Sequence, residues 1–386
     1  MLVMCGCCIG GVSAWNLARA DFLFRQDTPQ SVSAALALEP DGWRYALRLS
    51  QFDEQHSSDL LRRTLALDPF NAQANIELGL RSEAQGDKVA AEKYLLASYS
   101  VDKTYLPRWS LANYYLRHEQ PQEFWMWVQR ALQMPAQDIR PLFELCWRVD
   151  PDPRKIDAVL QTDDAGVLRQ YLEFLLKKNE IAALAPVAAR LLRSGTMAGD
   201  RPFLFSIVDR LVVERDAVDA LALWRRMEDA NWIGSDSSVP KNASFEREPM
   251  AVSFDWSLAA QTGLHSWPGP TGLETELTGE EPEDCVIAEQ VVALQPGSYQ
   301  LIYSYRTEAI PADTGVRWQL LDAASEAPIA ESSDLSSDTE KKEVVPFTVV
   351  AGQSLFRLRL KYARAVGTPR IAGNLRMIST RIQPLA

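Results

Sequence analysis

Leu78-Gly79, Gly86-Asp87 and Ala91 stand at offsets that a tight helical hairpin requires, and they constrain this chain more than any other feature. Gly79 and Ala91 are small where two helices would cross, and Gly86 supplies the turn between them. Leu78 and Leu95 fill the seam, while Ala74, Ala90 and Ala97 keep the crossing tight. Just upstream, Leu65-x-Leu67-Asp68-Pro69 reads as an apolar helix stop followed by a proline that cannot continue the helix. A hairpin of this kind buries its apolar face only by stacking on neighbours, so further copies are expected at about 34-residue spacing.

Copies are there in diverging form, within a helical pattern running from about Asp27 to Ile233. Ala34-Ala35-Leu36-Ala37-Leu38-Glu39-Pro40 has the form of a repeat end. Trp43, Ala46 and Leu49 begin the next helix, and Leu60, Leu61 and Thr64 answer it. From Pro107 to Met134, Leu111-Ala112 and Tyr115 face Val128 and Ala131, with Phe124 in place of the usual alanine and Glu119 in place of the turn glycine. Asp150-Pro151-Asp152-Pro153 then interrupts the stacking. Two later hairpins turn at Asn179-Glu180 and Arg215-Asp216.

After a polar linker at 235–241 the period changes to two. Tyr299, Leu301, Tyr303 and Tyr305 share one face of a strand, and Val316, Trp318 and Leu320 share another. Phe356, Leu358, Leu360 and Tyr362 alternate with Arg357, Arg359 and Lys361. Pro296-Gly297 and Ala351-Gly352 punctuate the strands. Short alternating strands of this kind predict an antiparallel β-sandwich over 242–386.

Two resemblances follow from these residues. Residues 30–134 resemble tetratricopeptide repeats, specifically so at 71–102. The region with Asn242-Ala-Ser-Phe245-Glu246, Phe254-Asp255-Trp256 and Leu294-x-Pro296-Gly297-x-Tyr299-x-Leu301 resembles the jelly-roll sandwiches of carbohydrate-binding modules and galactose-binding-like domains. The expected fold is therefore an α-solenoid over 25–234 followed by a jelly-roll sandwich. The resemblance implies a protein partner in the solenoid groove and a glycan at the sandwich. The order of parts is similar to bacterial envelope proteins of polysaccharide production or export, which implies an inner-membrane anchor with the soluble part in the periplasm.

A net charge of −11 argues against nucleic acid as a partner, because phosphate binding needs a basic footprint. Residues 1–18 carry no charge, and the first basic residue is Arg19. Over 1–24 this fits either a membrane anchor or a buried first helix of the solenoid; length and lack of charge favour the anchor. Cys5, Cys7 and Cys8 lack the further ligands a metal site needs and read as small residues of an apolar helix. Cys146 and Cys285 are expected as buried free thiols.

Catalytic motifs are missing from the sequence: no His-Glu-x-x-His, no Gly-x-Ser-x-Gly, no phosphate-binding Gly-rich loop, and no cofactor signature. The expectation is a non-catalytic adaptor, with a carbohydrate-binding protein spaced by its repeats as the alternative. In the groove, Arg44, Gln73, Asn75, Arg108 and Asn113 are the candidates for holding an extended peptide. On the sandwich, His265 and Trp267, placed in a loop by their Gly263-Leu-His-Ser-Trp-Pro-Gly269 context, are the first candidates for glycan stacking. Trp256, Tyr303, Tyr305, Trp318 and Tyr362 fall on apolar strand faces and are expected in the core. Arg306, Arg317, Arg357 and Arg359, with Lys361, point outward, either as a basic face for an acidic polysaccharide or as a solvated face of cross-strand ion pairs.

Overall fold

The computed structural model describes residues 14–134 and 138–385. The chain folds as two compact units, Met1–Thr162 and Asp163–Ala386. Of the expected anchor over 1–24, residues 1–13 lie outside the described residues. Residues 14–24 form a helix whose Ala20 is buried with Ala35, Leu36, Tyr45 and Ala46 and whose Asp21 accepts from Tyr45 Oη at 2.7 Å, the packing of a first solenoid helix. Among the described residues no helix is long and apolar enough to cross a membrane.

The first unit is helical. α1 is described over residues 14–24, followed by α2 (Pro29–Leu38), α3 (Trp43–Phe52), α4 (Ser57–Leu67), α5 (Ala72–Ala84) and α6 (Lys88–Val101). Then come α7 (Tyr105–Arg117), α8 (Pro121–Leu132), α9 (Arg140–Val149) and α10 (Pro153–Leu160). The α5–α6 hairpin is built as its small residues require. A Cβ on Gly79 would meet Leu95 Cγ at 2.8 Å, so only hydrogen permits the approach. Gly86 turns the chain with φ +84°. Each helix starts on a side-chain cap: Asn71 Oδ1 accepts from Ala74 N–H, and Asp87 Oδ1 from Ala90 N–H, both at 2.9 Å. In α7–α8, Glu119 takes the left-handed turn at φ 56° that glycine would take more cheaply, and Phe124 is buried where alanine is usual.

The second unit starts with two more hairpins: α11 (Ala165–Lys178) with α12 (Leu184–Ser194), and α13 (Met197–Val213) with α14 (Ala217–Asp229). Asn179 and Arg215 hold left-handed conformations at their turns. Ten strands follow: β1 (Ser257–Leu258), β2 (Leu264–Gly269), β3 (Gly272–Thr278), β4 (Asp284–Ala293), β5 (Gly297–Glu308), β6 (Val316–Asp322), β7 (Pro328–Glu331), β8 (Lys341–Val349), β9 (Leu355–Ala363) and β10 (Ala372–Pro384). They form two five-stranded antiparallel sheets, sheet I in the order β1-β4-β9-β6-β7 and sheet II in the order β2-β3-β10-β5-β8.

Trp256, Trp318, Tyr303, Tyr305 and Tyr362 are fully buried in the sandwich core, with Trp256 and Trp318 ring centroids 5.9 Å apart. The inward residues of each strand make this core, as the period of two predicts.

Helix gives way to strand across the expected linker, yet α13 and α14 pack on the sandwich as part of its unit. Asp209 Oδ1 accepts from the Ser253 backbone N–H at 3.0 Å, the Trp224 and Phe254 rings meet edge-on at 5.7 Å, and Lys241 pairs with Glu228 at 3.0 Å. An apolar and partly ionic joint of this kind explains why the last hairpin and the sheets form one body.

Candidate functional site

The outer faces of the two sheets differ, and the difference locates the site. On sheet II, β3 turns Leu273, Thr275 and Leu277 inward, which sends Glu274 and Glu276 out. In β10, Leu375 and Met377 point in and Asn374 and Arg376 out; in β5, Tyr305 and Thr307 point in and Arg306 and Glu308 out. His265 and Trp267 do not lie in a loop. They stand two apart on β2, and Trp267 is 47% exposed. The misplacement has a physical cause: a Gly- and Pro-rich edge strand carries the local signs of a loop.

Strand register assembles these residues into two rows across the sheet. One is Trp267–Glu274–Arg376–Arg306, the other His265–Glu276–Asn374–Glu308. Gly272 makes the β2–β3 turn possible, because at φ +132° its missing side chain leaves room for the Met377 carbonyl, 2.1 Å from where a Cβ would sit. Arg376 Nε pairs with Glu274 Oε1 at 2.6 Å, whereas Arg306, Glu276 and Glu308 enter no ion pair among the described residues. Glu274, Arg306, Thr307, Glu308, Asn374 and Arg376 line a depression of about 270 Å³ beside the tryptophan row. That is below the roughly 300–1,000 Å³ that encloses a drug-sized molecule, so the face suits a ligand laid across it. It offers one exposed aromatic face with guanidinium donors and carboxylate and amide acceptors around it.

Sheet I is closed by its own charges. Arg317 pairs with Glu331 at 2.6 Å and with Asp334 at 3.4 Å. Arg357 reaches Glu289 at 2.9 Å and Glu326 at 3.0 Å; Arg359 binds Glu326 at 2.6 Å and also Glu289. Lys361 holds Asp284 at 2.8 Å. Burial works against the Arg359 charge, but Glu289 and Glu326 outweigh it and raise its pKa above the ordinary value. Of the two readings of this face, cross-strand ion pairs describe it, and an open basic surface does not. Arg306 is not part of it, since it lies on the opposite sheet.

The groove candidates fare differently from one another. Arg44 and Gln73 are exposed, with Gln73 donating to Glu77 at 3.0 Å. Asn75 is buried and donates to the Asn71 carbonyl, and Asn113 donates to the Trp109 carbonyl, each at 3.0 Å. Arg108 is buried too and donates to the Arg130 carbonyl. All three side chains donate to helix backbone carbonyls, with Asn113 half-buried.

Other reactive groups are dispersed. Burial pushes the Cys146 thiol up to about 12 and the Cys285 thiol up to about 11, so neither is a thiolate near neutrality. His56 meets Asp53 at 2.9 Å. His118 is not a free surface residue, because it packs on Tyr114 and meets Glu83 at 3.1 Å. Among the described residues no group of three or more His, Cys, Asp or Glu side chains is placed to hold a metal ion.

Fold and site define a helical-repeat protein carrying a β-sandwich with one open polar face. No protein-family model matches the chain, and no curated protein matches it. Among solved structures, it is similar to the N-terminal cellulose-binding domain of Cellulomonas fimi β-1,4-glucanase C, with 15% identity over 38% of this chain and 97% of that one, at a TM-score of 0.27. It is also similar to YrrB, described as a TPR protein with an unusual peptide-binding site (11% identity, 53% of this chain and 93% of that one, TM-score 0.26). Pseudomonas aeruginosa pilF matches at 14% identity over 58% of this chain and 94% of its own, with a TM-score of 0.29. Scores this low mark a likeness in outline, and any functional reading has to stand on the site itself.

Proposed function

We propose that this protein is a non-catalytic binding protein whose sandwich holds a glycan chain across the outer face of sheet II, while its helical repeats hold a protein partner. The observation that carries the glycan reading is the row Trp267–Glu274–Arg376–Arg306, with its exposed ring at one end and hydrogen-bonding groups beside it. The apolar face of a pyranose ring stacks on an indole, and its equatorial hydroxyls need donors and acceptors in one plane, which the Arg, Glu and Asn side chains supply.

Sheet I fits this role poorly, because its charged groups are already committed to one another. The repeats fit a scaffold: stacked hairpins present long surfaces at low cost in new chemistry. The uncharged run of residues 1–18 supports a membrane tether, and with it a place in the cell envelope near polysaccharide production or export.

A glycan array probed with the full chain tests the glycan reading. The expected result is binding to a defined set of oligosaccharides that Trp267→Ala abolishes without altering the melting temperature. A blank array, or binding indifferent to Trp267, contradicts the reading.

A further inference from the structure

Some cations in the first unit are matched by acids: Arg48 pairs with Asp27 at 2.7 Å and Arg117 with Glu83 at 2.6 Å. One cluster instead gathers three cations about a single ring. Lys103 Nζ lies 3.7 Å from the centroid of the Tyr99 ring, and the guanidinium carbons of Arg108 and Arg130 lie at 5.8 Å and 5.9 Å from the same centroid. Arg130 also sits 4.5 Å over Trp127, whose ring meets Tyr99 edge-on at 4.7 Å. Among the described residues none of these three cations has an ion-pair partner. Asp102, the neighbouring acid in sequence, is occupied by the turn, accepting from Thr104 N–H at 2.8 Å and from Thr104 Oγ1 at 2.9 Å. Arg108 is 8% exposed, and its Nε is buried without an acceptor.

Ring faces stabilise each cation in part. Three like charges about one ring still repel, more strongly where water is excluded, and a bound anion would relieve them. Charge alone would accept any anion, but the surroundings narrow the choice. Leu96 lies one turn before Tyr99 on the same face of α6 and is exposed; Leu106 and Met134, near Lys103 and Arg130 in sequence, are exposed as well. A peptide with carboxylates and apolar side chains fits both features, whereas a bare phosphate fits only the first.

We infer that the Tyr99–Trp127 cluster docks an acidic, apolar-flanked segment of a protein partner. Lys103 and Arg130 meet its carboxylates, and Arg108 positions Arg130 through the carbonyl bond. The inference rests on the reading of the repeats as a protein scaffold, and it moves the contact away from Arg44, Gln73, Asn75 and Asn113.

The test is a fluorescence-anisotropy titration of the full chain with a labelled peptide of alternating Glu and Leu, beside the same peptide with Gln for Glu. Binding of the Glu peptide should weaken with salt, and should fall by about tenfold or more for the Gln peptide and for the Lys103→Gln, Arg130→Gln double variant. The melting temperature of that variant should be unchanged; if it unfolds, exposed Lys103→Gln alone serves, with a smaller loss expected. Equal binding of the Gln peptide would leave the scaffold reading standing and overturn the charge assignment. Failure of the Glu peptide to bind, undiminished binding by the variant, or complete displacement by equimolar inorganic phosphate would each overturn it as well.

Discussion

The two faces of the sandwich carry arginines at the same alternating positions and use them in opposite ways. On sheet I, Arg357 and Arg359 share Glu289 and Glu326, and Arg317 and Lys361 have acids of their own. Among the described arginines of sheet II, Arg376 alone is paired, Arg306 lies directly across from it, and an exposed indole ends the row. Alternation decides that a side chain points outward. Cross-strand register decides whether it meets a carboxylate or solvent, and that separates a sealed face from a receptive one.

The change that should break both faces at once is Trp318→Ala, because that indole fills the core beneath them. A loss of about 3–5 kcal/mol is expected for the second unit in chemical denaturation of the full chain. Glu289→Ala should touch only sheet I. It leaves two half-exposed guanidiniums dependent on Glu326, for a cost of about 1 kcal/mol at most, with glycan binding unchanged.

A smaller effect should appear only in acid. Burial would raise the Glu343 carboxyl, but bonds from Lys341 and Tyr303 hold it below its ordinary 4.5. A lowered folded pKa means the stabilisation is present above the unfolded value and lost as pH falls through the folded one. Denaturation midpoints should therefore drop below about pH 4.5, and less steeply in Glu343→Gln. Trp267→Ala should have the least effect on stability, within about 0.5 kcal/mol, since a half-exposed edge-strand ring has little packing to lose.

Much of the fold was legible in the sequence because each level agreed with the next. Gly79, Gly86, Leu95 and Ala91 stand where the hairpin needs them, and the core aromatics of β5, β6 and β9 follow from a period of two. The site was legible only in fragments. Trp267, His265 and Arg306 could be named singly, but nothing local says that β2, β3, β10 and β5 are neighbours. Glu274, Glu276, Asn374 and Arg376 therefore went unread, although Gly272-Leu-Glu-Thr-Glu-Leu-Thr278 carries the alternation that would have exposed them. Asn75 and Arg108 illustrate the converse. A polar residue on a helix looks available until a backbone carbonyl claims it, on its own helix for Asn75 and on the neighbouring one for Arg108.

Calorimetric titration of an array-selected oligosaccharide into the full chain, with Trp267→Ala and Arg357→Ala compared side by side, tests the central claim most directly. The account predicts that Trp267→Ala weakens binding by about tenfold or more, while Arg357→Ala leaves it unchanged. Loss of binding in Arg357→Ala with Trp267→Ala unaffected would contradict it and assign the ligand to sheet I.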